Sequence, residues 1–191
     1  GQSPRPYHMD NRLPQPETLP HARLHERRHR RNPTRKTPPP VKYVSIFSGI
    51  EAATVAWHPL GWEPLAFSEI DPFPSTVLQH HYPDIPNLGD ITKIDWSPYV
   101  GAADIVVGGS PCQSFSVAGK REGLAGASGL MFEYIRAVRE LRPRWFVWEN
   151  VPGAFTSERG EAYRQLLSEM DALGYGLAWR VLDAQFFGVA Q

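Results

Sequence analysis

Short apolar runs alternate with helical stripes from residue 41 onwards. Val41-Lys-Tyr-Val-Ser-Ile-Phe47 is β-rich and predicts a strand, which Ser48-Gly49 breaks. Ile50 to Leu60 predicts a helix, with Glu51, three alanines, Val55 and Trp57 ahead of Pro59. Glu63-Pro-Leu-Ala-Phe-Ser68 predicts the second strand. Pro72 to His81 predicts a helix entered through Asp71 as N-cap and stopped near Tyr82-Pro83. Ile105 to Val107 is short, apolar and β-branched, as a buried parallel strand should be, and Gly108 and Gly109 end it. Leu130 to Leu141 predicts a helix with Leu130, Tyr134, Val138 and Leu141 spaced for one buried face, and Pro143 ends it. Arg144-Trp-Phe-Val-Trp148 is the next strand. Glu161 to Leu173 is an amphipathic helix with Tyr163, Leu166, Leu167 and Met170 on one side, and Tyr175 to Leu182 begins another strand. Alternation of this kind predicts an α/β fold, a parallel sheet with helices on both faces.

Composition divides the chain in two. Residues 1–40 hold nine of the 19 prolines and nine Lys+Arg against three Asp+Glu, with no periodic apolar face. They are expected to be a disordered, basic, proline-rich tail. The run Arg27-Arg-His-Arg-Arg31 could touch phosphate backbone non-specifically, but a solvated tail is the simpler expectation. Residues 41–191 carry eleven basic and seventeen acidic residues, so the net charge of zero is a cancellation between unlike pieces. No apolar run approaches the ~18 residues of a membrane span, and no signal peptide opens the sequence. With one cysteine besides, the expected setting is reducing and cytoplasmic. The first residue is Gly and Met9 could be an internal start, so the sequence could begin inside a longer chain.

The candidate chemistry gathers where strands end. Cys112 cannot form an internal disulfide, and it follows Gly109-Ser-Pro111 on the loop leaving the third strand. Open α/β sheets bind ligands at that edge. Glu149 stands at the end of the next strand, so thiol and carboxylate can face one crevice, where desolvation by neighbouring aromatics could keep the acid protonated. Strand, Gly49 turn and helix open a nucleotide-type βαβ unit, and the glycine lets backbone approach a ligand. Glu69, twenty positions on, stands where a carboxylate accepts from ribose hydroxyls. Asp90-Ile91 suits an adenine, the acid accepting from the exocyclic amine and the apolar chain packing on the ring. The glycine-rich stretch 116–128 could close over a substrate, and its Lys120 and Arg121 could meet phosphates.

Taken together, residues 42–191 resemble the bacterial C5-cytosine DNA methyltransferases. Phe47-Ser-Gly49 is similar to the family's first cofactor motif, and Glu69 and Asp90-Ile91 to its ribose and adenine motifs. Gly109-Ser-Pro-Cys-Gln113 resembles the nucleophile motif and Glu149-Asn-Val151 the Glu-Asn-Val motif. Phe187-Gly-Val-Ala-Gln191 resembles the opening of its Gln-x-Arg-x-Arg motif. The resemblance implies a Rossmann-like methyltransferase sheet over 41–191, truncated before the last core strand and lacking the target-recognition domain. It implies S-adenosylmethionine as cofactor, held by Phe47, Gly49, Ile50, Ala52, Glu69, Ile70, Asp90, Ile91, Pro111 and Leu130. The catalytic set would be Cys112 and Glu149 with Pro111, Gln113 and Asn150, acting on a cytosine flipped out of double-stranded DNA. The expected role is restriction-modification or DNA marking between phage and host. No metal and no membrane are expected.

Ala52 is small enough to permit close approach where the family usually has glycine. The family's missing strand would lie beside the one around Val181, so unpaired edges, aggregation and inactivity of the chain alone are expected, with a separate chain able to supply the C-terminal half. A catalytically dead cofactor-binding remnant and an RNA cytosine methyltransferase are the alternatives. A nicotinamide-dependent oxidoreductase is disfavoured by the missing Gly-x-Gly-x-x-Gly.

Overall fold

One strand, β1 (Lys42–Ile46), organises the sheet because it is buried on both faces. It pairs in parallel with β2 (Glu63–Ser68) on one side and β3 (Ile105–Gly108) on the other. β3 pairs in parallel with β4 (Trp145–Trp148), giving the order β2-β1-β3-β4. The helices are α1 (Ala52–Trp57), α2 (Pro72–His81), α3 (Ala127–Leu141) and α4 (Glu161–Ala172). The computed structural model describes residues 39–111, 127–155 and 160–188. The expected tail lies outside these residues except for its last two prolines.

Alternation along β1 assigns the helices to both faces. Tyr43 points to α1, where its ring meets Trp57 edge-on at 5.0 Å and its hydroxyl meets Thr54 Oγ1 at 2.6 Å. Val44 and Ile46 point the other way, into the core formed with Val106, with Met131, Tyr134 and Val138 of α3, and with Leu166 and Met170 of α4. Tyr134 is fully buried, and its hydroxyl donates to the Val147 carbonyl at 2.9 Å, so the phenol ties α3 to β4. Burial pushes its pKa well above the usual tyrosine value.

The strand order reverses at β1, since the chain moves outward to β2 and then crosses back to β3. The C-terminal ends of β1 and β3 therefore border a topological switch point. Their approach is close: a Cβ on Gly108 would stand 2.1 Å from the Ile46 carbonyl oxygen, so only glycine fits.

Three expectations change in detail. The first helix is shorter than 50–60, because Glu51 caps it and a 3-10 turn over His58–Leu60 takes over at Pro59. α3 begins at Ala127 rather than Leu130. Tyr175 to Leu182 is not a strand: it has no ladder partner among the described residues, and it lines an apolar groove of about 840 Å³ together with β4. A strand exists only by pairing, and an apolar run without a neighbour stays irregular. Trp179, Val181 and Leu182 are left exposed. β4 is the sheet edge, with Trp145 66% exposed.

Candidate active site

The strand tips carry the residues singled out from the sequence. At the end of β1 the chain turns through alternate left-handed residues, Phe47 (φ 53°), Gly49 (φ 55°) and Glu51 (φ 71°). Ser48 fastens the turn to β2, its N–H donating to the Ser68 carbonyl at 3.1 Å and its hydroxyl accepting from Ser68 N–H at 3.2 Å. Gly49 N–H donates to Glu69 Oε2 at 2.8 Å, and Asp71 N–H donates to Glu69 Oε1 at 2.8 Å. The Glu69 carboxylate is thus oriented by two backbone donors while each oxygen keeps a further lone pair.

Asn87 binds the next piece to the same rim. Its side chain accepts from Glu69 N–H at 3.0 Å and Gly89 N–H at 3.1 Å, and donates to the Glu69 carbonyl at 3.1 Å. Ser68 Oγ donates to the Gly89 carbonyl at 2.8 Å. Asp90 caps a 3-10 turn, accepting from Thr92 N–H at 3.0 Å and Thr92 Oγ1 at 2.8 Å, with Lys93 at 3.1 Å. The Thr92 hydrogen bond, helped by Lys93, holds its carboxyl below the usual aspartate value. The Ile91 side chain does not face outward as the ring-packing expectation needs. It is buried in the core, because the turn that Asp90 caps rotates it inward. Arg136 of α3 grips this turn from behind, donating to the carbonyls of Ile91 at 2.6 Å and Ile94 at 3.3 Å. Its charge is balanced by Glu133 and Glu140.

These residues fit a nucleoside cofactor. A Cβ on Gly49 would meet nothing within 4 Å, so the turn is open at that point. Ile50 and Ile70 are 61% and 72% exposed, one beside Gly49 and the other beside Glu69, and offer apolar surface to a ring. Ala52 is exposed at the start of α1. Phe47 and Leu130 are partly buried against the core.

Across the switch point, the end of β4 holds the loop leaving β3. Glu149 N–H donates to the Gly108 carbonyl at 3.1 Å. Ser110 is buried and gripped twice: Trp148 Nε1 donates to its hydroxyl at 3.1 Å and Asn150 Nδ2 to its carbonyl at 3.0 Å. The Glu149 side chain lies against Gly109, where an added Cβ would come within 2.8 Å of Oε2. Gly109 is therefore needed for the close seat of this carboxylate. Glu149 is exposed. Pro111 is exposed on the same loop. Cys112 and Gln113, with Lys120 and Arg121, lie outside the described residues. Among the described residues, no group of three or more His, Cys, Asp or Glu side chains could hold a metal. No helix among them is long and apolar enough to cross a membrane.

Sequence reasoning missed Glu51, which it took for an ordinary helical residue, and Arg136. The signal for Glu51 was present: an acid two residues past the turn glycine, with Thr54 three further on, has the spacing of an N-cap. Arg136 gave none, because its partners are backbone carbonyls 42 and 45 residues away.

A parallel sheet reversing at β1, with carboxylates on both sides of the reversal, defines the Rossmann-like class of α/β proteins. The comparisons narrow this further: residues 41–191 match the model of the C-5 cytosine-specific DNA methylases, and the chain belongs to that family. The cofactor of this family is S-adenosylmethionine.

Among curated relatives, the DNA N-6-adenine-methyltransferase of Escherichia phage P1 is 38% identical, over 78% of this chain and 27% of that protein. The orphan methyltransferase M.Rho11sI of Bacillus phage rho11s is 38% identical, over 79% of this chain and 31% of its own length. The type II methyltransferase M.AquIA of Picosynechococcus is 36% identical, over 78% of this chain and 67% of its own length. The chain thus spans about a third or less of the two phage relatives. The S. pombe Dnmt2 methyltransferase shares the fold at a TM-score of 0.54 and 17% identity, over 67% of this chain and 41% of that one. The DNMT2 of Spodoptera frugiperda does so at 0.55 and 20%, over 69% and 40%.

Proposed function

We propose that this chain carries the cofactor and catalytic half of an enzyme that methylates carbon 5 of cytosine in double-stranded DNA. The observation that carries the reading is the pair of strand tips: a Glu69 carboxylate oriented by Gly49, and a Glu149 carboxylate seated on Gly109 beside the Ser110–Pro111 loop. S-adenosylmethionine, when bound, supplies an electrophilic methyl group. Glu69 receives the ribose hydroxyls and Asp90 the adenine amine, while Ile50 and Ile70 cover the apolar parts. Phe47, Ala52, Pro111 and Leu130 shape the pocket.

The target cytosine, flipped from the duplex, enters between the tips. Cys112 as thiolate bonds to ring carbon 6. Glu149 meets ring nitrogen 3 and stabilises the charge that develops there. Carbon 5, made electron-rich by the adduct, would then receive the methyl as its bond to the cofactor's sulfonium sulfur breaks, leaving a neutral thioether. Loss of the carbon-5 proton then expels the Cys112 sulfur and restores the ring. Pro111 and Gln113 shape the thiol loop, and Asn150 holds it through the Ser110 carbonyl. A role in restriction-modification or phage DNA marking is consistent with the orphan and type II names that relatives carry.

The reading includes a separate chain that supplies what the longer relatives have beyond the matched segment. The free edge of β4 and the apolar groove beside it support this, since added strands would satisfy both. The chain alone is accordingly expected to aggregate and to lack turnover.

Transfer of an isotope-labelled methyl group from S-adenosylmethionine tests the reading, with duplex DNA, RNA and DNA lacking cytosine as acceptors. The completing polypeptide is added in one arm. Label in 5-methylcytosine of the duplex, abolished by Cys112→Ser with cofactor binding kept, is the expected result. Label on adenine nitrogen 6, preference for RNA, or activity indifferent to Cys112→Ser would overturn it. Binding without transfer in every arm would leave a cofactor-binding remnant.

A further inference from the structure

Glu51 lies in the turn that carries Gly49, yet it faces away from solvent. Two of the three left-handed residues in that turn are not glycine, and a side chain is unfavourable in that region. Strain of this sort persists only where the surroundings over-determine it. For Glu51 they do. It is 1% exposed and caps α1: Oε1 accepts from Thr54 N–H at 3.0 Å and from Thr54 Oγ1 at 3.1 Å. Thr54 has then spent its hydroxyl proton, so the 2.6 Å contact with Tyr43 has the phenol donating. A directed chain runs from Tyr43 on β1, through Thr54 on α1, to Glu51. Its own N–H donates to the Ser48 carbonyl at 3.0 Å and closes the turn that aims Gly49 N–H at Glu69.

The second carboxyl oxygen decides the charge state. Oε2 is buried and has no hydrogen-bond partner among the described residues. Among the described residues, the groups that face the carboxyl are the Tyr43 and Tyr82 phenols and the Ser45 and Thr54 hydroxyls, and none of these is a cation. Ser45 offsets part of the effect of burial but makes no hydrogen bond of ordinary geometry to Oε2. An ionised carboxylate here would bury an unpaired charge, which is far more costly than burying an unpaired O–H. Desolvation accordingly raises the pKa of the acid above its usual 4.5.

We propose that Glu51 is a positioning residue of the cofactor turn and acts as an uncharged acid, holding the left-handed bend through Thr54 and releasing it on ionisation. The proposal rests on the cofactor reading of Gly49 and Glu69. The sign of its pH dependence follows from linkage. Folding favours the protonated acid, so its contribution is complete below the unfolded value near 4.5 and declines as pH rises through the raised folded value.

The test compares the whole chain with Glu51→Gln, Glu51→Gly and Glu51→Ala, each from about pH 5 to 9. S-adenosylmethionine affinity is read by calorimetry, and protection of amides 48–54 by hydrogen exchange. Wild-type affinity and protection should fall together in one single-proton step as pH rises. Glu51→Gln, neutral and of the same shape, should stay within about threefold of the low-pH wild type and show no step. Glu51→Gly tolerates the backbone angle but lacks the cap, and should bind about tenfold or more weakly at every pH, with Glu51→Ala weaker still. Glu51→Gly binding like wild type, Glu51→Gln failing like Glu51→Gly, or the step surviving in Glu51→Gln would each overturn the proposal. If wild type binds no S-adenosylmethionine, the cofactor reading fails, and the exchange profiles alone still decide the part played by Glu51.

Discussion

Gly49 N–H and Glu69 Oε2, 2.8 Å apart, join the turn after β1 to the acid after β2. This contact makes the two strand tips one unit. It also forces Glu69 to be a carboxylate rather than an amide, because Asp71 N–H approaches the other oxygen. Glu69→Gln would set an NH₂ group against one of two backbone donors. S-adenosylmethionine affinity should fall about tenfold or more, with the thermal midpoint reduced by a few degrees. Calorimetry and a melting curve check both, and unchanged affinity would remove Glu69 from the site.

Gly109→Ala should separate the two halves of the site. The added methyl would stand 2.8 Å from Glu149 Oε2 and 2.9 Å from its carbonyl oxygen, so the end of β4 must shift. A loss of about 1–3 kcal/mol in urea unfolding is expected. S-adenosylmethionine affinity should fall less than in Glu69→Gln, because the Gly49–Glu69 side is untouched and only Pro111 of the pocket rides on this loop. Gly108→Ala should be far worse, its methyl meeting backbone of the neighbouring strand at 2.1 Å.

The Ser110 anchor can be tested without catalysis. Ser110→Ala removes the partner of the Trp148 indole, costing about 1 kcal/mol. Tryptophan emission should shift relative to wild type, and the shift should vanish in a Trp148→Phe background. Asn150→Ala frees the Ser110 carbonyl and should destabilise by a similar amount. Because both contacts hold one residue, the double variant should fall short of the sum.

Arg136→Ala should loosen the Asp90 turn from behind. Two carbonyls lose a charged donor, and Glu133 and Glu140 lose the cation they share. Destabilisation of about 1–2 kcal/mol is expected after allowance for partial solvent screening. Amide exchange at Thr92 and Lys93 should quicken. Arg136→Lys should recover only part of this, since one ammonium cannot reach as a fork does.

What the sequence disclosed follows the range of the forces involved. β1 to β4 were legible because each is a short apolar run with its own terminator, and Asp71 was legible because an N-cap is a matter of three residues. The line of strand tips followed from the parallel topology. Tyr175 to Leu182 misled because its residues suit a strand, but pairing is decided by a neighbour that no local window contains. Ile91 misled for a related reason: Asp90 caps the turn and sends the side chain into the core. Glu51 was missed although its spacing to Thr54 is that of an N-cap, because its left-handed backbone angle is one a glutamate seldom adopts.

The order of the strands also bears on how the chain acquires its shape during synthesis. Lys42 meets its first partner about twenty residues later at Glu63, but Tyr43 waits about sixty residues for Ile105. Val106 in turn waits about forty for Phe146. At ribosomal rates of about 5–20 residues per second, the central strand spends seconds with one flank uncovered. Slower translation across residues 69–104 would lengthen that interval, so codon choice there should govern the yield of correctly folded protein.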